Sequence, residues 1–195
     1  MRESVEGTMD PEPTPSPEVL TLTAGPTSVS VLPRIGFTIS SLRHHDQEYL
    51  SFHGGVDALR QGHTTGVPLL APWANRLRGP DYESGGQVVQ VVGAPGVHLD
   101  ANGLPIHGTM VGRSGWRVGP IRTAADHGAV SATFDAGADA GVMASFPFPH
   151  TIAVELDLVP GALSVRTTLT ATGAAAVPVS FGWHPYVSLP DRPSG

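Results

Sequence analysis

His184 is the side chain in this sequence that is best suited to proton transfer. It lies in the stretch "SFGWHPY", residues 180–186, between an aromatic run and a proline. Because an imidazole titrates near neutral pH, it can donate or accept a proton under physiological conditions, and Pro185 favours an extended backbone at His184. These features predict a ligand-facing group, although a strand-end histidine hydrogen-bonded to the backbone fits the spacing equally well.

Three further side chains suggest recognition of a hydroxyl-rich ligand. Asn75 and Arg76 lie in "GVPLLAPWANRLRG", where the prolines exclude a regular central strand. Arginine offers a fork of donors and asparagine both a donor and an acceptor, which suits the vicinal hydroxyls of a sugar. His107 lies in "NGLPIHGTM", where Gly108 permits a close approach of the backbone. Taken singly, the pair also fits a surface salt bridge with a turn asparagine, and His107 an ordinary loop residue.

The other histidines give no metal-ligand pattern. His44, His45 and Asp46 are adjacent, and neighbouring residues of a strand point to opposite faces, so the two imidazoles are not expected to share one ion. Cysteine is absent, which excludes disulfides, thiolate chemistry and cysteine-ligated zinc. The lack of cysteine is in keeping with a reducing cytoplasm. We therefore expect no metal site.

Charge and hydropathy argue against two classes of partner. The formal net charge is −6, whereas nucleic acids and anionic membranes select clustered Lys and Arg. No apolar run is long enough to span a bilayer, and the first residues lack the hydrophobic segment of a secretory signal. We expect residues 1–18, in which prolines alternate with small or acidic residues, to be a disordered leader. Residues 19–195 are expected to form one cytoplasmic domain.

Short strands must position these groups. The chain has 24 glycines and 19 prolines but only 14% charged residues, a composition typical of turns joining apolar strands in a β-sandwich or barrel. The clearest signal is a hairpin: apolar residues alternate in "TIAVELDLV" and again in "ALSVRTTLTA", after the turn at Pro160 and Gly161. Other predicted strands are residues 19–23, 27–32, 34–42, 48–52, 87–92, 116–122 and 129–134.

Helical signals are nearly absent from the sequence. Residues 56–61 are compatible with one helical turn, and no segment has sustained helical spacing of apolar residues. The longest irregular stretches, residues 54–86 and 93–115, are predicted to be functional loops.

The alternation in "VPVSFGWH", residues 177–184, predicts how the last strand faces. One face is expected to lie in the core, and the other, which bears His184 among small residues, to lie open above the sheet. The core-facing residues would be Val177, Val179, Phe181 and Trp183, and the open face would carry Pro178, Ser180, Gly182 and His184.

Three stretches in order resemble the aldose 1-epimerase (galactose mutarotase) family. They are "PLLAPWANRLRG", "GLPIHGTMVGRSGW" and the segment from "FPFPHTIAVELDLVPG" to "SFGWHPYVSLP". The motifs "NR", "IHG" and "HPY" are weak alone and specific in combination. The resemblance runs from near residue 29 to the last residue. It implies a large antiparallel β-sandwich that binds its sugar on a concave face.

The resemblance also implies roles for individual residues. Asn75 and Arg76 correspond to the substrate-binding pair, His107 to a loop histidine that contacts the sugar, and His184 to the general acid. We count His184 and His107 as the catalytic residues. The implied reaction is the interconversion of the α and β anomers of a free monosaccharide such as glucose or galactose, without a metal or organic cofactor.

The reaction also needs a base, which the resemblance assigns to a glutamate on a strand after the "HPY" motif. Glu155 and Asp157 on the predicted hairpin and Asp191 in a loop do not match it. We therefore expect the chain to be the N-terminal part of such a protein, with the last strands of its sandwich missing. It should be inactive alone and able to self-associate through an exposed sheet edge.

Two alternatives remain open from the sequence. One is a non-catalytic sugar-binding sandwich that keeps Asn75, Arg76 and His107 without the base. The other is a hexose-6-phosphate mutarotase, which would need an additional basic cluster for the phosphate. Arg76 and Arg78 are the close basic pair near the motif. Which aldose is used is not encoded in these motifs.

Overall fold

The computed structural model describes residues 18–189, and strands dominate this part of the chain. Residues 1–17, which form nearly all of the predicted leader, and Asp191 lie outside the described residues. The helices are α1 (Gly55–Arg60) and α2 (Ala140–Ser145). The strands are β1 (Leu20–Ala24), β2 (Thr27–Leu32), β3 (Thr38–His44), β4 (Gln47–Glu48), β5 (Leu69–Leu70), β6 (Asp81–Ser84), β7 (Gln87–Gln90), β8 (His98–Leu99), β9 (Pro105–Ile106), β10 (Arg117–Val118), β11 (Arg122–Ala124), β12 (His127–Asp135), β13 (His150–Val159), β14 (Ala162–Ala171) and β15 (Gly182–Trp183).

Two antiparallel sheets form a sandwich. The first has the strand order β1-β2-β3-β4, and the second has the order β10-β12-β13-β14, with β11 also paired to β12. In β13 every second residue from Ile152 to Leu158 is buried, whereas Glu155 and Asp157 are exposed, because successive side chains of a strand point to opposite faces. The predicted all-β sandwich and the predicted hairpin are thus confirmed.

The two sheets bury one core between them. Leu22 of β1 and Val29 of β2 are fully buried and belong to the same cluster as the inner face of β13. Trp116 packs between Phe37 and Phe134, with ring centroids 5.5 and 5.6 Å apart. Burying one such side chain stabilises a fold by roughly 1.5–3 kcal/mol.

Strand β14 has a free edge beside an apolar groove. It pairs with β13 along its whole length and with no other strand in the described part of the chain. Its core-facing side is incompletely covered, since Leu163 and Leu169 are half-buried and Val165 is 37% exposed. The adjoining groove has a volume of about 520 Å³, with walls from β3, β14 and residues 185–187.

Several predicted strand boundaries are wrong. The strand predicted over 34–42 begins only at Thr38, because Gly36 and Phe37 adopt positive φ values of 68° and 49°. The strand predicted over 116–122 is interrupted at Gly119 and Pro120, and proline has no N–H to donate to a ladder. The strand predicted over 48–52 is reduced to β4.

The predicted terminal strand is wrong over most of its length. Only Gly182–Trp183 forms a strand, and Val179, assigned to the core face, is 67% exposed. Residues 177–181 pair with no strand in the described part, so period two does not decide their orientation. Val177, Phe181 and Trp183 do pack against the core as partly buried residues.

Short elements occur where the sequence predicts loops. The stretch 54–86 contains α1, β5 and β6, and the stretch 93–115 contains β8 and β9. Helix α2 was not predicted from the sequence. Its N-cap is Asp139, whose Oδ1 accepts from the Val142 N–H at 2.9 Å, a local signal that is available in the sequence.

Candidate functional site

The position of His184 is set by backbone pairing between its segment and the residues that precede Asn75 and Arg76. Strand β15 pairs antiparallel with β5, and the next N–H, that of His184, donates to the Pro68 carbonyl at 3.2 Å. Trp183 ties the same segment to β14, because its Nε1 donates to Oγ1 of Thr167 at 3.0 Å. The segment that carries His184 is therefore held by hydrogen bonds both to Pro68 and to β14.

The Asn-Arg pair and His107 lie on two loops that are joined through their main chains. We call residues 71–79 the NR loop and residues 98–108 the IHG loop. The His107 N–H donates to the Asn75 carbonyl at 2.9 Å, and a β-bridge joins the two loops at the neighbouring residues. These contacts fix the distance between the two motifs.

The backbone at this junction is tightly folded. Asn75 and His107 have positive φ values of 79° and 65°, a region that asparagine and histidine enter more readily than most residues. At Gly108 an added Cβ would lie 2.0 Å from the carbonyl oxygen of Ala71. Glycine is therefore required directly after His107.

His107 and His184 face each other across the site. Their rings lie edge to face, with centroids 5.5 Å apart and an interplanar angle of 78°. His184 is stacked on Tyr186 with centroids 4.7 Å apart, and the Tyr186 hydroxyl is hydrogen-bonded to Oγ1 of Thr64. The Nδ1 atoms of both histidines are buried, and neither has a hydrogen-bond partner within residues 18–189. Two imidazoles thus retain unused hydrogen-bonding capacity.

Burial favours the neutral form of His107. Desolvation lowers the pKa of His107 most, and the charges of His184 and Arg76 lower it further, because burial and nearby positive charge both disfavour the imidazolium. A neutral imidazole can accept a hydrogen bond at one nitrogen and donate at the other. His107 is therefore suited at pH 7 to bind hydroxyl groups.

Asp100 is a residue of the site that the sequence analysis missed. Its Oδ2 accepts a hydrogen bond from Nε of Arg76, and the two side chains form an ion pair. Its Oδ1 accepts from the N–H groups of Asn102 and Leu104, each at 2.9 Å. The signal was present in the sequence "DANG", since an aspartate before such a turn accepts from the backbone two residues on.

The structure brings the predicted site residues together to different degrees. Arg76, His107 and His184 meet through the two loops and the short strand β15. Asn75 joins them through its carbonyl, and its side chain forms no hydrogen bond within the described residues. The side-chain amide of Asn75 therefore keeps its donors and acceptor for a ligand.

A polar cavity opens beside His107. It has a volume of about 350 Å³ and is lined by residues 61–64, which follow α1, and by the IHG loop. His63, Thr64, His98 and Asp100 supply polar groups to its wall. This size and chemistry suit a small hydroxyl-rich ligand. Of the two facing histidines only His107 lines this cavity, and the apolar groove beside the start of β14 contains neither of them.

The carboxylates of the hairpin lie on the outer face, away from this site. Glu155 pairs with Arg166 at 3.6 Å, and Asp157 with His127 at 2.9 Å.

His44 is hydrogen-bonded to Oγ1 of Thr27 at 2.8 Å. The rings of His44 and His45 lie 4.4 Å apart, so the expectation that they point to opposite faces is wrong, because His45 already has a turn conformation with φ of 47°.

Comparison with known proteins gives one family and one fold. The sequence matches the aldose 1-epimerase family over residues 18–194. A galactose mutarotase-like protein from Clostridium acetobutylicum has a TM-score of 0.74 at 19% identity, and the match covers 88% of this chain and 51% of that one. A Synechocystis protein has a TM-score of 0.70 at 18% identity, with 95% and 58% covered. A galactose mutarotase-like protein from Lactobacillus casei has a TM-score of 0.65 at 21% identity, with 86% and 49% covered.

The chain spans about half the length of the solved structures that it matches. No curated protein sequence matches it. Among the described residues, no helix is both long and apolar enough to cross a membrane.

Proposed function

The chain belongs to the aldose 1-epimerase family, and from this premise we propose that the protein interconverts the α and β anomers of a free aldose such as glucose or galactose. The observation that carries the proposal is the meeting of His107 and His184, whose ring centroids are 5.5 Å apart, beside Arg76. A cytoplasmic location is part of the proposal, in keeping with the absence of cysteine.

The chemistry needs one acid and one base. In the proposed mechanism His184 donates a proton to the ring oxygen while a base removes the proton of the anomeric hydroxyl. The bond between the anomeric carbon and the ring oxygen breaks, and an open-chain aldehyde forms. Rotation of the aldehyde followed by closure on its other face gives the second anomer. The acid and the base exchange roles during closure, so no proton is consumed.

The other residues bind the sugar. Neutral His107 donates to and accepts from hydroxyls, which its lowered pKa supports. The guanidinium of Arg76 uses one N–H for Asp100 and keeps its other donors for the sugar. Asn75 holds His107 in register through its carbonyl, at 2.9 Å from the His107 nitrogen.

The base of the proposed mechanism is the glutamate that the family resemblance assigns to a later strand. Within residues 18–189 no carboxylate is hydrogen-bonded to His184 or His107. This observation also favours the second candidate, a non-catalytic sugar-binding sandwich. A hexose-6-phosphate substrate is less favoured, because Arg76 is already paired with Asp100 and the phosphate would need further positive charge.

Two measurements test the proposal. Titration of the chain with galactose or glucose, followed by NMR of the histidine ring protons, should shift the signals of His107 and His184. Polarimetry of the same sugars, with the chain co-expressed with a segment that supplies the later strands, then separates the candidates, since mutarotation above the buffer rate indicates the enzyme and binding without mutarotation the sugar-binding module. Unchanged histidine signals at high sugar concentration would contradict both.

A further inference from the structure

The backbone of Arg76 is fixed by hydrogen bonds on both sides, whereas its long side chain is fixed by a single contact. The main chain of the NR loop is bonded to the IHG loop on both sides of Arg76, through the carbonyl of Asn75 and the N–H of Leu77, each at 2.9 Å. The side chain of Arg76 is 43% exposed, and a free arginine side chain of this kind samples many rotamers. Within the described residues its only side-chain hydrogen bond is to Asp100.

Asp100 is itself rigidly held. Its side chain is only 8% exposed. One oxygen accepts from the N–H groups of Asn102 and Leu104, and the Asp100 N–H donates to the Leu104 carbonyl at 2.9 Å. The carboxylate is therefore locked to the turn of the IHG loop, the same loop that carries His107.

The contact with Asp100 occupies one edge of the guanidinium and leaves the rest free. Asp100 accepts from Nε of Arg76, so the terminal nitrogens keep their N–H donors for a ligand. The charge of Arg76 is close enough to His107 to lower its pKa. The positive charge of Arg76 thus lies near His107, and its Nε is held by Asp100.

These contacts also exclude Asp100 as a general base. The N–H group of Leu104 is the largest cause that lowers the pKa of Asp100, with further lowering from Arg76 and Asn102 that outweighs the effect of burial. Both oxygens already accept hydrogen bonds, and a carboxylate with a lowered pKa is a weak base. The remaining role for Asp100 is to position its neighbour.

We propose, on the basis of the sugar site described above, that Asp100 is the positioning residue that orients the guanidinium of Arg76 for sugar binding and couples the NR loop to the IHG loop. Asp100 touches Arg76, and both of its carboxylate oxygens are already used in hydrogen bonds within the chain. Its loss should therefore weaken sugar binding through Arg76 alone.

The test is a double-mutant cycle of Asp100→Asn and Arg76→Ala. In Asp100→Asn the amide oxygen can still accept from the turn N–H groups, so the loop is kept, but the pairing with Nε is lost. Because a hydrogen bond from a charged guanidinium is worth roughly tenfold or more in affinity and Asp100→Asn should lose part of it, this change should weaken galactose binding roughly fivefold. In the Arg76→Ala background the same change should weaken binding less than twofold. Asp157→Asn, on the outer face, is the matched control and should leave the affinity unchanged.

A second measurement is independent of sugar. The Nε–H signal of Arg76 in a ¹H–¹⁵N spectrum should be slow to exchange in the wild-type chain and lost to rapid exchange in Asp100→Asn, but retained in Asp157→Asn. An Arg76 signal equally protected without Asp100 would overturn the proposal, as would a full effect of Asp100→Asn in the Arg76→Ala background. If the wild-type chain binds no galactose, the proposed function fails, and the Arg76 signal still decides whether Asp100 positions the guanidinium.

Discussion

His107 and His184 meet edge to face, with ring centroids 5.5 Å apart, although they belong to separate segments of the chain. His107 is fixed by its N–H bond to Asn75, and His184 by its N–H bond to Pro68. Both anchoring residues belong to the stretch that leads into and through the NR loop. One stretch of backbone therefore sets the positions of both imidazoles, and the consequences can be tested.

Replacement of His184 should affect turnover rather than affinity. His184→Asn removes the proposed acid and keeps a polar side chain of similar reach. In the catalytically active protein the turnover number should fall by roughly 100-fold or more, while sugar affinity changes little. Polarimetry of galactose mutarotation measures this, with His127→Asn on the outer face as the control. An unaltered turnover number in His184→Asn would end the proposal that it is the acid.

Replacement of Arg76 should affect affinity. Arg76→Ala removes donors that act in the ground state as well as in the transition state. Since a hydrogen bond from a charged group is worth about 1.5–3 kcal/mol, the dissociation constant should rise roughly tenfold or more. Arg166→Ala, which removes an exposed arginine of β14, is the control. Loss of the β-sheet circular dichroism signal in Arg76→Ala would instead mean that Arg76 is structural.

The close approach of Gly108 to Ala71 predicts a steric penalty. In Gly108→Ala the new Cβ would lie 2.0 Å from the Ala71 carbonyl oxygen, at a φ of 67°. We expect a loss of about 3 kcal/mol in the free energy of unfolding. Gly86→Ala has a similar φ of 76° with open space around it, so it should cost only about 1 kcal/mol. Urea unfolding followed by tryptophan fluorescence compares the two variants, and equal losses would contradict the steric argument.

The lowered pKa of His107 predicts a loss of stability on acidification. Burial first, then His184 and Arg76, lower the folded-state pKa of His107, and burial first, then His63 and Arg113, lower that of His98. The unfolded chain therefore binds protons more readily than the folded one. Stability should fall as pH drops below the unfolded value of about 6.5, and the loss is complete below the folded pKa.

Urea unfolding at pH 7.5 and pH 5 measures this loss. His107→Gln removes one of the two groups, so the variant should lose less stability between the two pH values than the wild-type chain. His127→Gln is the control and should behave as the wild type. An identical pH dependence in His107→Gln and the wild type would show that His107 is not the group responsible.

The free edge of β14 predicts self-association of the chain. We expect residues 1–195 to associate at micromolar concentration, because β14 presents unpaired backbone groups beside an apolar groove of about 520 Å³. Val165→Lys, on the incompletely covered face, should reduce the association, whereas Thr168→Lys on the opposite face should reduce it less. Light scattering measures both variants.

The same chain is expected to show no mutarotation above the buffer rate, since among the described residues the only carboxylate that lines the cavity beside His107 is that of Asp100, which is already paired with Arg76. Co-expression with a segment that supplies the later strands should restore both solubility and activity. A monomeric and fully active chain would mean that Glu155, Asp157 or Asp191 is the base.

The sequence by itself determined what depends on local order. Alternation from Ile152 to Leu158 predicted the buried face of β13, because side chains of a strand alternate whatever lies around them. The turn at Pro160 and Gly161 is likewise local. The motifs "NR", "IHG" and "HPY" predicted the family and the candidate residues without any geometry. The same alternation wrongly predicted that Val179 is buried. Val179 is exposed, because in the described part of the chain its segment pairs with no strand that would fix which side chains face the core.

Only the tertiary structure decided which of these groups meet and in what state. The contact of His107 with His184 depends on β15 pairing with β5, and the pairing of Arg76 with Asp100 depends on the junction of the NR and IHG loops. These are contacts between segments far apart in sequence, and periodicity carries no information about them. The neutrality of His107 is also a tertiary property, because it comes from burial and from charges supplied by other segments.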